Sequence, residues 1–340
     1  MSEPSSEPLR LPSGTRCWVV TDGKAGDEVQ CVGVAEALGL HPDIRRIAPR
    51  RPWSWFMPWG PADPREAPGR EGGPLAGPLP DLLIASGRRA VASLRAVKAA
   101  SAGRTFTVFL KDPRTGAGTA DLIWVPEHDA LRGPNVVVTL TSPHGLSAAR
   151  LAAAAADPPA AVAATPRPRV ALVLGGNSRH HVFTDADIAR LADHVRMLAD
   201  AGVAIMATAS RRTPTQLVER IRSAIAPGRG FLWDGTGPNP YAAMLACADA
   251  VVVTADSVNM TGEACATGKP VLLFEPTARG GAPPAKQKRL IEGLKRHGAV
   301  HSFQGKLEGH AYEPLNSTPI IAAAIARAFI RRTRNVSATG

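Results

Sequence analysis

The chain is poor in aromatic side chains and cysteines, and it has no long apolar run. Only 5% of its 340 residues are aromatic, whereas 44% are hydrophobic. This balance is typical of α/β proteins rich in Ala, Val and Leu. No apolar run approaches the length of a membrane span, so a transmembrane protein is not expected. The cysteines lack the CxxC spacing of zinc and redox sites and lie in or beside apolar segments, which predicts buried, reduced thiols at Cys17, Cys31, Cys247 and Cys265.

The first thirteen residues also lack the apolar core of a signal peptide. They read MSEPSSEPLRLPS, so we expect a loose tail over residues 1–14 and a cytoplasmic protein. The net charge of +11 is uneven: residues 1–165 hold 18 basic and 16 acidic side chains, whereas residues 166–340 hold 22 and 13. A basic half favours an anionic partner. Nucleic acid is not expected, because the sequence has no recognition helix or aromatic-basic module.

Length and pattern predict two domains, because 340 residues are long for one core. The Ala/Pro-rich stretch 151–168 lacks an amphipathic pattern and is interpreted as a linker. The boundaries that follow are a tail over 1–14, an N-terminal domain over 15–150 with a Trp-rich and Pro/Gly-rich insertion at 49–80, a C-terminal domain over 169–316, and a final helix over 317–334 that could cross back to the N-terminal domain.

Short apolar runs alternate with helical patterns in both halves. The runs that predict strands are 17–21, 82–85, 105–110, 122–125 and 136–140 in the first half, and 170–174, 203–208, 231–233, 250–254 and 271–274 in the second. Such alternation is typical of parallel sheets covered by helices on both faces. The predicted fold class is therefore α/β, with two Rossmann-like, doubly wound parallel-sheet domains facing across a cleft.

The most informative segment is AVVVTADSVNMTGEACATGKPVLLFEP, residues 250–276. It predicts a strand, a polar loop, a helix and a second strand, and the loop leaves the carboxyl end of the first strand, where open α/β sheets bind ligands. Hydroxyls, backbone N–H groups and a helix N-terminus suit phosphate, and one carboxylate nearby suits the paired hydroxyls of a sugar or ribose. The alternative is an ordinary βαβ unit in which Asp256 and Ser257 cap the helix.

Each half also opens with a glycine-containing turn after its first strand. The turns are Asp22-Gly23-Lys24-Ala25-Gly26-Asp27 and Gly175-Gly176-Asn177-Ser178. Glycine permits a sharp bend or a close approach to a ligand, and exposed N–H groups can hold an anion. Neither turn is GxGxxG or a Walker motif, and tight turns need glycine without any ligand as well.

Two other predicted strand ends in the second half carry candidate ligand groups. Ser210-Arg211-Arg212-Thr213 follows one strand, where two cations could meet phosphate, although a solvated loop is the alternative. Trp233 ends another strand, where a base could stack, although packing into the core fits equally. Asp185 and Asp187 look like a metal-binding DxD, but their position at a helix start favours capping.

Several of these motifs resemble a known family. TDGKAGDEVQCVGVAEALGL (residues 21–40), ASGRRAVASLRA (85–96), LVLGGNSRHHVF (172–183) and TADSVNMTGEACATGKPV (254–271) resemble the mitochondrial-fission ELM family. The order of glycine turn, basic loop, aromatic strand end and Thr-Gly-Glu helix is similar to the nucleotide-sugar half of GT-B glycosyltransferases. The resemblance implies a GT-B-like architecture, whereas the plant members of the family are described as recruiters of the division machinery.

The resemblance also implies roles for individual residues of the second half. Gly175, Gly176 and Asn177, with Ser210 and Arg211, would bind the nucleotide diphosphate, and Trp233 would lie beside the base. Thr254, Ser257 and Asn259 would line the sugar phosphate, and Glu263 would hold the ribose. The nucleotide-sugar is a co-substrate, so no cofactor is expected. Position 255, eight residues before Glu263, is Ala rather than the second glutamate of retaining enzymes, and without a DxD no metal is expected.

An inverting transfer needs a general base to deprotonate the acceptor. Asp22 and His144 follow predicted strand ends in the first half, and Lys24 could balance charge on the substrate. A turn role competes for both Asp22 and His144. The catalytic candidates are therefore Asp22, Lys24 and His144.

A tryptophan-rich stretch suggests a surface contact. Trp53, Trp55 and Trp59 lie within seven residues beside arginines, a combination that suits an anionic membrane surface. A protein docking site or a loop folded onto its own domain fits the same residues. We therefore predict a GT-B-like, metal-independent glycosyltransferase that moves a sugar from a UDP-type donor to an envelope or lipid-linked acceptor, peripheral at the inner face of the membrane. The alternative is a non-catalytic GT-B-like scaffold that binds a membrane or a protein.

Overall fold

The computed structural model describes residues 11–338, and their side chains up to residue 334. Residues 1–10 of the predicted tail lie outside the described part. The chain forms two compact units. The first unit consists of the described residues up to Gly145 together with those from Ser317 onward. The second unit is Leu146–Asn316.

The first unit is built on a six-stranded parallel sheet. Its strand order is β2-β1-β3-β4-β5-β6. The strands are β1 (Cys17–Thr21), β2 (Asp43–Arg46), β3 (Leu82–Ser86), β4 (Phe106–Leu110), β5 (Leu122–Pro126) and β6 (Val136–Thr139). The helices are α1 (Ala25–Ala37), α2 (Ala90–Ala100) and α10 (Ser317–Ala338). The last of these belongs to this unit although it follows the second unit in the chain.

Apolar cores cover both faces of this sheet, so the residues of its central strands are buried on both sides. On one face α1 and α10 pack over Val19, Ile84 and Val108. On the other face α2 packs over Val20 and Leu83. Burial on both faces explains why these strands are continuous apolar runs rather than alternating ones.

The second unit repeats this plan with a sheet of order β10-β9-β7-β11-β12-β14. Its parallel strands are β7 (Arg169–Leu174), β9 (Ala204–Ala209), β10 (Gly230–Trp233), β11 (Ala250–Thr254), β12 (Val271–Phe274) and β14 (Val300–Ser302). A small antiparallel pair joins β8 (His181–Val182) to β13 (Thr277–Ala278). The helices are α3 (Ala148–Ala156), α4 (Ala160–Ala163), α5 (Asp185–Asp200), α6 (Thr215–Ala224), α7 (Tyr241–Cys247), α8 (Val258–Cys265) and α9 (Ala285–Arg296).

Helix α5 illustrates how the sequence fixes these elements. Thr184 and Asp187 form a capping box at its start, where each side chain accepts a hydrogen bond from the backbone N–H of the other residue. Its buried residues Ile188, Leu191 and Val195 recur at helical spacing and pack on the sheet. Asp187 therefore caps the helix, which is the role that the sequence favours.

The two predicted parallel-sheet α/β domains are confirmed, and the ten predicted strands all exist with small shifts at their ends. Two strands at sheet edges were not predicted. Asp43–Arg46 is mostly exposed and charged, and Val300–Ser302 is only three residues long. The stretch interpreted as a linker contributes the helices α3 and α4 to the second unit. Within the described residues, no helix combines the length and apolarity needed to cross a membrane.

Each sheet has one point where successive strands are added on opposite sides. Strand β1 is followed in the chain by β2 on one side and β3 on the other, and β7 is followed by β9 on one side and β11 on the other. Ligands of open α/β sheets bind outside the carboxyl ends of the strands at such switch points. The loops after β1, β3, β7 and β11 are therefore the places to look for a site.

Candidate functional site

At the switch point of the second sheet, the glycine turn after β7 meets the loop after β11. The backbone N–H of Gly175 donates to Thr254 Oγ1 at 2.7 Å, and that of Gly176 donates to Asp256 Oδ2 at 2.9 Å. Thr254 Oγ1 in turn donates to Asp256 Oδ1 at 2.8 Å. The Asp256 carboxylate is fully buried. It therefore holds the two loops together and does not cap α8, which was the alternative in the sequence.

Both glycines are required by this close packing. A Cβ atom at position 175 would lie 2.3 Å from the Asp256 carboxylate oxygens, and one at position 176 would lie 2.0 Å from the carbonyl oxygen of Arg212. The N–H of Asn177 also donates internally, to the Arg212 carbonyl at 3.1 Å. Since these N–H groups already have partners, the turn contributes shape, and the positive charge that an anion needs must come from neighbouring groups.

The loop after β9 supplies that charge. Ser210 and Thr213 are hydrogen-bonded to each other, with 3.1 Å between their hydroxyl oxygens. Arg212 lies 3.7 Å from the buried Asp256 carboxylate and donates to the Asn177 carbonyl at 3.2 Å. Arg211 is exposed next to it. Arg212 is thus partly neutralised by Asp256, and Arg211 is the cation of this loop that is available to a ligand.

Helix α8 begins at the same edge of the sheet. Ser257 is its N-cap and accepts a hydrogen bond from the Met260 N–H at 3.4 Å. Asn259 lies in the first turn and is half-buried. The N-terminus of this eight-residue helix carries the positive end of the helix dipole, which favours a phosphate.

Glu263 is held by a tyrosine that the sequence interpretation did not assign to the site. The Tyr241 hydroxyl, at the first position of α7, donates to Glu263 Oε2 at 2.7 Å. Burial raises the pKa of Glu263, while the Tyr241 hydrogen bond and the charge of Arg150 oppose that rise. The glutamate is half-buried rather than an exposed helix residue. A partly desolvated carboxylate with a fixed orientation is suited to accept hydrogen bonds from a diol.

Trp233 is the last residue of the edge strand β10, and it lies level with residues near the carboxyl ends of the neighbouring strands. The sheet register pairs Trp233 with Thr208, Thr208 with Val173, and Val173 with Val253. The indole is half-buried and its Nε1–H donates to the Thr236 carbonyl at 2.8 Å. Parallel strands lie about 4.8 Å apart, so Trp233 is about 10 Å from the β7 end. That separation suits a base stacked at one end of a ligand whose phosphates reach the centre of the sheet.

The structure therefore brings one group of predicted residues into direct contact and spaces the others along the same edge. Gly175, Gly176 and Thr254 form the hydrogen-bonded centre with Asp256. The side chains that flank this centre at the carboxyl edge are Asn177, Ser210, Arg211, Trp233, Ser257, Asn259 and Glu263. Asp256 and Tyr241 were missed as site residues, because a buried carboxylate and its partners leave no periodic signal in a sequence. Arg212 was considered with Arg211 as a cation for phosphate but was not included among the predicted site residues.

In the first unit, Asp22 and Lys24 follow β1. Lys24 Nζ lies 2.6 Å from Asp22 Oδ2, and the Asp22 side chain is only 3% exposed. The N–H of Gly23 donates to Thr21 Oγ1 rather than to Asp22. The Asp22 carboxylate is thus a buried acceptor that is oriented by a mostly exposed lysine.

His144 lies in a different environment. It is 3% exposed, and its backbone N–H and carbonyl both bond to the Thr318 hydroxyl, at 2.8 and 2.9 Å. A Cβ atom on Gly33 would lie 2.7 Å from its carbonyl, so α1 packs directly against it. Burial lowers the pKa of His144 to about 4. The imidazole is therefore neutral at pH 7 and tightly packed.

The tryptophan-rich stretch forms a compact loop with an aromatic surface. Trp55, Phe56 and Trp59 are 65%, 59% and 65% exposed, whereas Trp53 is half-buried beneath Arg50. We call Trp55, Phe56 and Trp59 the aromatic tip. The loop beneath it is pinned by the Arg95 guanidinium, which donates to the carbonyls of residues 58, 59 and 60 at 2.9, 3.1 and 2.7 Å.

Two six-stranded parallel α/β units with candidate ligand groups at their carboxyl edges define a Rossmann-like protein of the GT-B class. The glycosyltransferase SnogD from Streptomyces nogalater superposes with a TM-score of 0.50 at 15% identity, covering 96% of this chain and 100% of that one. UDP-GlcNAc 2-epimerase from Methanocaldococcus jannaschii, solved in complex with UDP-GlcNAc and UDP, gives the same TM-score at 11% identity, covering 95% and 99%. At such low identity these similarities show the fold.

Within this class, the chain belongs to the mitochondrial fission ELM1 family, whose family model matches residues 25–329. Mitochondrial fission protein ELM1 from Arabidopsis thaliana is 31% identical over 287 residues, covering 75% of this chain and 65% of that protein. An uncharacterised protein of Rickettsia prowazekii (strain Madrid E), RP120, is 31% identical over 164 residues, covering 46% and 45%. The chain thus spans less than two thirds of the length of these relatives.

Proposed function

We propose that this protein transfers a sugar from a UDP-type nucleotide donor to a hydroxyl acceptor of envelope or lipid-linked type. The observation that carries the proposal is the Tyr241–Glu263 hydrogen bond at the carboxyl edge of the second sheet. A carboxylate held in one orientation and partly removed from water is suited to bind the two ribose hydroxyls of a nucleotide. The M. jannaschii epimerase of similar fold was solved with UDP-GlcNAc and UDP, which is consistent with this type of ligand.

The other groups at this edge supply the remaining contacts of the proposed donor site. Trp233 would stack on the base, and Arg211 with the N-terminus of α8 would stabilise the diphosphate, both as it binds and as it leaves. Ser257 and Asn259, at the start of α8, would line the sugar phosphate. The glycine turn would keep the backbone close to the ligand, while Asp256 fixes its shape. This arrangement does not require a metal ion.

Asp22 is the proposed general base of the transfer. Its carboxylate would take the proton from the acceptor hydroxyl as the acceptor oxygen forms a bond to the anomeric carbon of the sugar. The bond from that carbon to the diphosphate oxygen breaks, and the nucleoside diphosphate leaves with the electron pair. Lys24, 2.6 Å from Asp22, would keep the carboxylate oriented. The reaction inverts the anomeric configuration because the acceptor attacks opposite the leaving group.

Isothermal titration calorimetry against UDP, GDP and their sugars tests the donor site. We expect the wild-type protein to bind a UDP-sugar, and the Glu263→Ala variant to bind it at least about tenfold more weakly, as expected for loss of hydrogen bonds to a charged group. Glu292→Ala is a matched control, because Glu292 is an exposed glutamate on α9 of the same unit. The proposal fails if no nucleotide binds, or if Glu263→Ala and Glu292→Ala bind equally well.

A second candidate function is favoured by the aromatic tip. Three exposed aromatic side chains beside Arg51, which lies 5.7 Å from the Trp55 ring centre, suit insertion into the interface of an anionic membrane. In this alternative the protein is a non-catalytic GT-B-like scaffold that binds a membrane or a protein partner. Membrane contact is also compatible with transfer to a lipid-linked acceptor, so binding to membranes and activity need separate tests.

Flotation with liposomes that contain phosphatidylserine tests the membrane contact. We expect the wild type to float with the liposomes and the Trp55/Phe56/Trp59→Ala variant to stay in solution, because its interfacial side chains are removed. Trp53→Ala should float, since Trp53 lies half-buried beneath Arg50. Equal flotation of the wild type and the triple variant would rule out the aromatic tip as a membrane contact.

A further inference from the structure

The switch point of the first sheet carries a second polar cluster that the donor site does not include. It lies between the carboxyl ends of β1 and β3, which are neighbours in the sheet. Val20 pairs with Ala85, and Ser86 pairs with Leu110 of β4, so the loops after β1, β3 and β4 begin side by side. This is where an open α/β sheet places a ligand.

Two carboxylates meet at this point around a glycine. Asp22 follows β1, and Asp27 lies in the first turn of α1 and is buried. A Cβ atom on Gly87 would lie 3.3 Å from Asp27 Oδ2 and 3.5 Å from Asp22 Oδ1. Gly87 has φ +95°, a conformation that side chains other than glycine rarely adopt. The glycine therefore lets the loop after β3 pass directly over both carboxylates.

Each carboxylate has its own lysine. Lys24 pairs with Asp22, and Lys111, the residue after β4, donates to Asp27 Oδ1. Ser86 Oγ also donates to Asp27 Oδ1, at 3.2 Å. Lys111 has φ +85°, a backbone conformation that residues other than glycine rarely adopt. The backbone at Lys111 therefore differs from the extended backbone of β4 before it. The cluster thus combines two negative and two positive groups, three from the β1–α1 connection and the first turn of α1, and one from the loop after β4.

One acceptor atom in this cluster lacks a partner. The Asp22 side chain is only 3% exposed, so Asp22 Oδ1 has little access to solvent. Within the described residues, this oxygen also accepts no hydrogen bond. A buried carboxylate oxygen without a donor costs free energy, so such atoms in folded proteins usually indicate a missing partner. The missing partner must be a hydrogen-bond donor small enough to reach the cluster beside Gly87.

We propose that this cluster binds a neutral polyhydroxylated ligand, with a hydroxyl group that donates to Asp22 Oδ1 and others that accept from Lys24 and Lys111. Hydroxyl groups both donate and accept, which matches the combination of carboxylates and ammonium groups. A free phosphate would meet two carboxylates, and a divalent cation would meet two lysines, so neither matches the charges. The inference rests on the proposed function in one respect: the ligand would be the sugar of the acceptor.

Asp27 is a positioning residue in this proposal, because it holds Lys111, which binds the ligand directly. Saturation-transfer NMR with methyl β-glucoside, methyl N-acetyl-β-glucosaminide and myo-inositol tests the site without any nucleotide. We expect wild type to bind at least one of the three probes. Asp22→Asn and Lys111→Met should each bind it about tenfold more weakly, through loss of a hydrogen bond to a charged group.

Lys98→Met provides the matched control, because Lys98 makes a similar bond, 2.8 Å to Asp121, at the opposite end of the same sheet. It should bind the probe like the wild type. If Lys111→Met does not fold, judged by its thermal unfolding, Lys111→Gln and Asp27→Asn replace it. Three results would overturn the proposal. They are that none of the three probes binds, that Lys111→Met and Lys98→Met bind the probe equally, or that inorganic phosphate binds in place of the probes. Glu263→Ala should bind the probe normally, so loss of nucleotide binding and loss of this site are separate results.

Discussion

The Asp256 carboxylate is fully buried, and its partners are a backbone N–H, a hydroxyl and the guanidinium of Arg212. It joins the loops after β7 and β11, and a Cβ at Gly175 would collide with it. A similar combination of a buried carboxylate and a glycine occurs at the other switch point, with Asp22, Asp27 and Gly87. In both units, single residues therefore fix the shape of the candidate sites.

Asp256→Ala should lower the free energy of unfolding by about 1–3 kcal/mol, because it leaves the Gly176 N–H and the Thr254 hydroxyl buried without their acceptor. Chemical denaturation measures the effect. Asp193→Ala removes an exposed carboxylate that pairs only with Arg196 in this part of the chain, and it should change stability much less. Equal losses for the two variants would show that Asp256 does not hold the loops.

Glu263 predicts a pH dependence of stability. Burial raises its pKa in the folded state above the ordinary value of 4.5, so its contribution to stability is present below 4.5 and is lost as the pH rises through the folded value. Glu263→Gln keeps an acceptor for the Tyr241 hydroxyl but cannot ionise. Its stability relative to the wild type should therefore increase between pH 5 and pH 8, as measured by urea denaturation. A constant difference across this range would contradict the assigned burial effect.

At the scale of elements, the loop that carries the aromatic tip is held from below while its upper surface is exposed. Asp63, which is almost fully buried, accepts from the Arg50 guanidinium at 2.7 and 2.9 Å. The bidentate bond lowers the pKa of Asp63 far below its ordinary value. Met57 is buried beneath the loop. The exposed aromatic side chains are therefore presented by a fixed backbone rather than by a loose insertion.

Arg95→Met should loosen this loop, because the carbonyls of residues 58–60 lose their shared donor. We expect chymotrypsin to cleave after Trp55, Phe56 or Trp59 several-fold faster in this variant than in the wild type. Arg104→Met changes an exposed arginine of the same unit and should be cleaved at the wild-type rate. An unchanged rate in Arg95→Met would mean that the Arg50–Asp63 pair and Met57 hold the loop without Arg95.

At the scale of the whole molecule, each unit has its own apolar packing, and helix α10 completes the core on one face of the first sheet. Ile321, Ile325 and Phe329 of α10 are buried in the core that also contains Val34 of α1. The Phe329 ring meets that of Phe106 edge-on, with 5.7 Å between centroids. The first unit is therefore discontinuous in sequence, and its core depends on the last segment of the chain.

Phe329→Ala should destabilise the first unit by about 3–5 kcal/mol, the usual cost of removing a buried phenylalanine. Hydrogen-exchange mass spectrometry should show faster exchange in β1, β3 and β4, with little change in β7, β9 and β11. Phe303→Ala, in the core of the second unit, should give the opposite pattern. Faster exchange throughout both sheets in either variant would contradict independent cores.

Much of the fold follows from local sequence patterns. Apolar runs such as 250–254 predict strands because buried parallel strands need continuous apolar residues. The capping box at Thr184 and Asp187 marks a helix start by local hydrogen bonds. The charged edge strand Asp43–Arg46 escapes such prediction, because only its pairing with β1 makes it a strand. The Ala-rich stretch before position 165 forms α3 and α4, and only the tertiary structure shows that α3 packs on α7.

The candidate sites, like the fold, were predicted in part from the sequence and depend in part on the tertiary structure. The sequence alone places Gly175 just after a strand, Trp233 at the end of another, and Glu263 within the helix that follows a third. These positions share the carboxyl edge because parallel strands end together. Only the tertiary structure pairs Glu263 with Tyr241, 22 residues away, and Asp27 with Lys111, 84 residues away. Such pairs depend on which strands become neighbours. The sequence thus determined two parallel α/β units and the segments at their carboxyl edges, and the order of strands decided which side chains meet there.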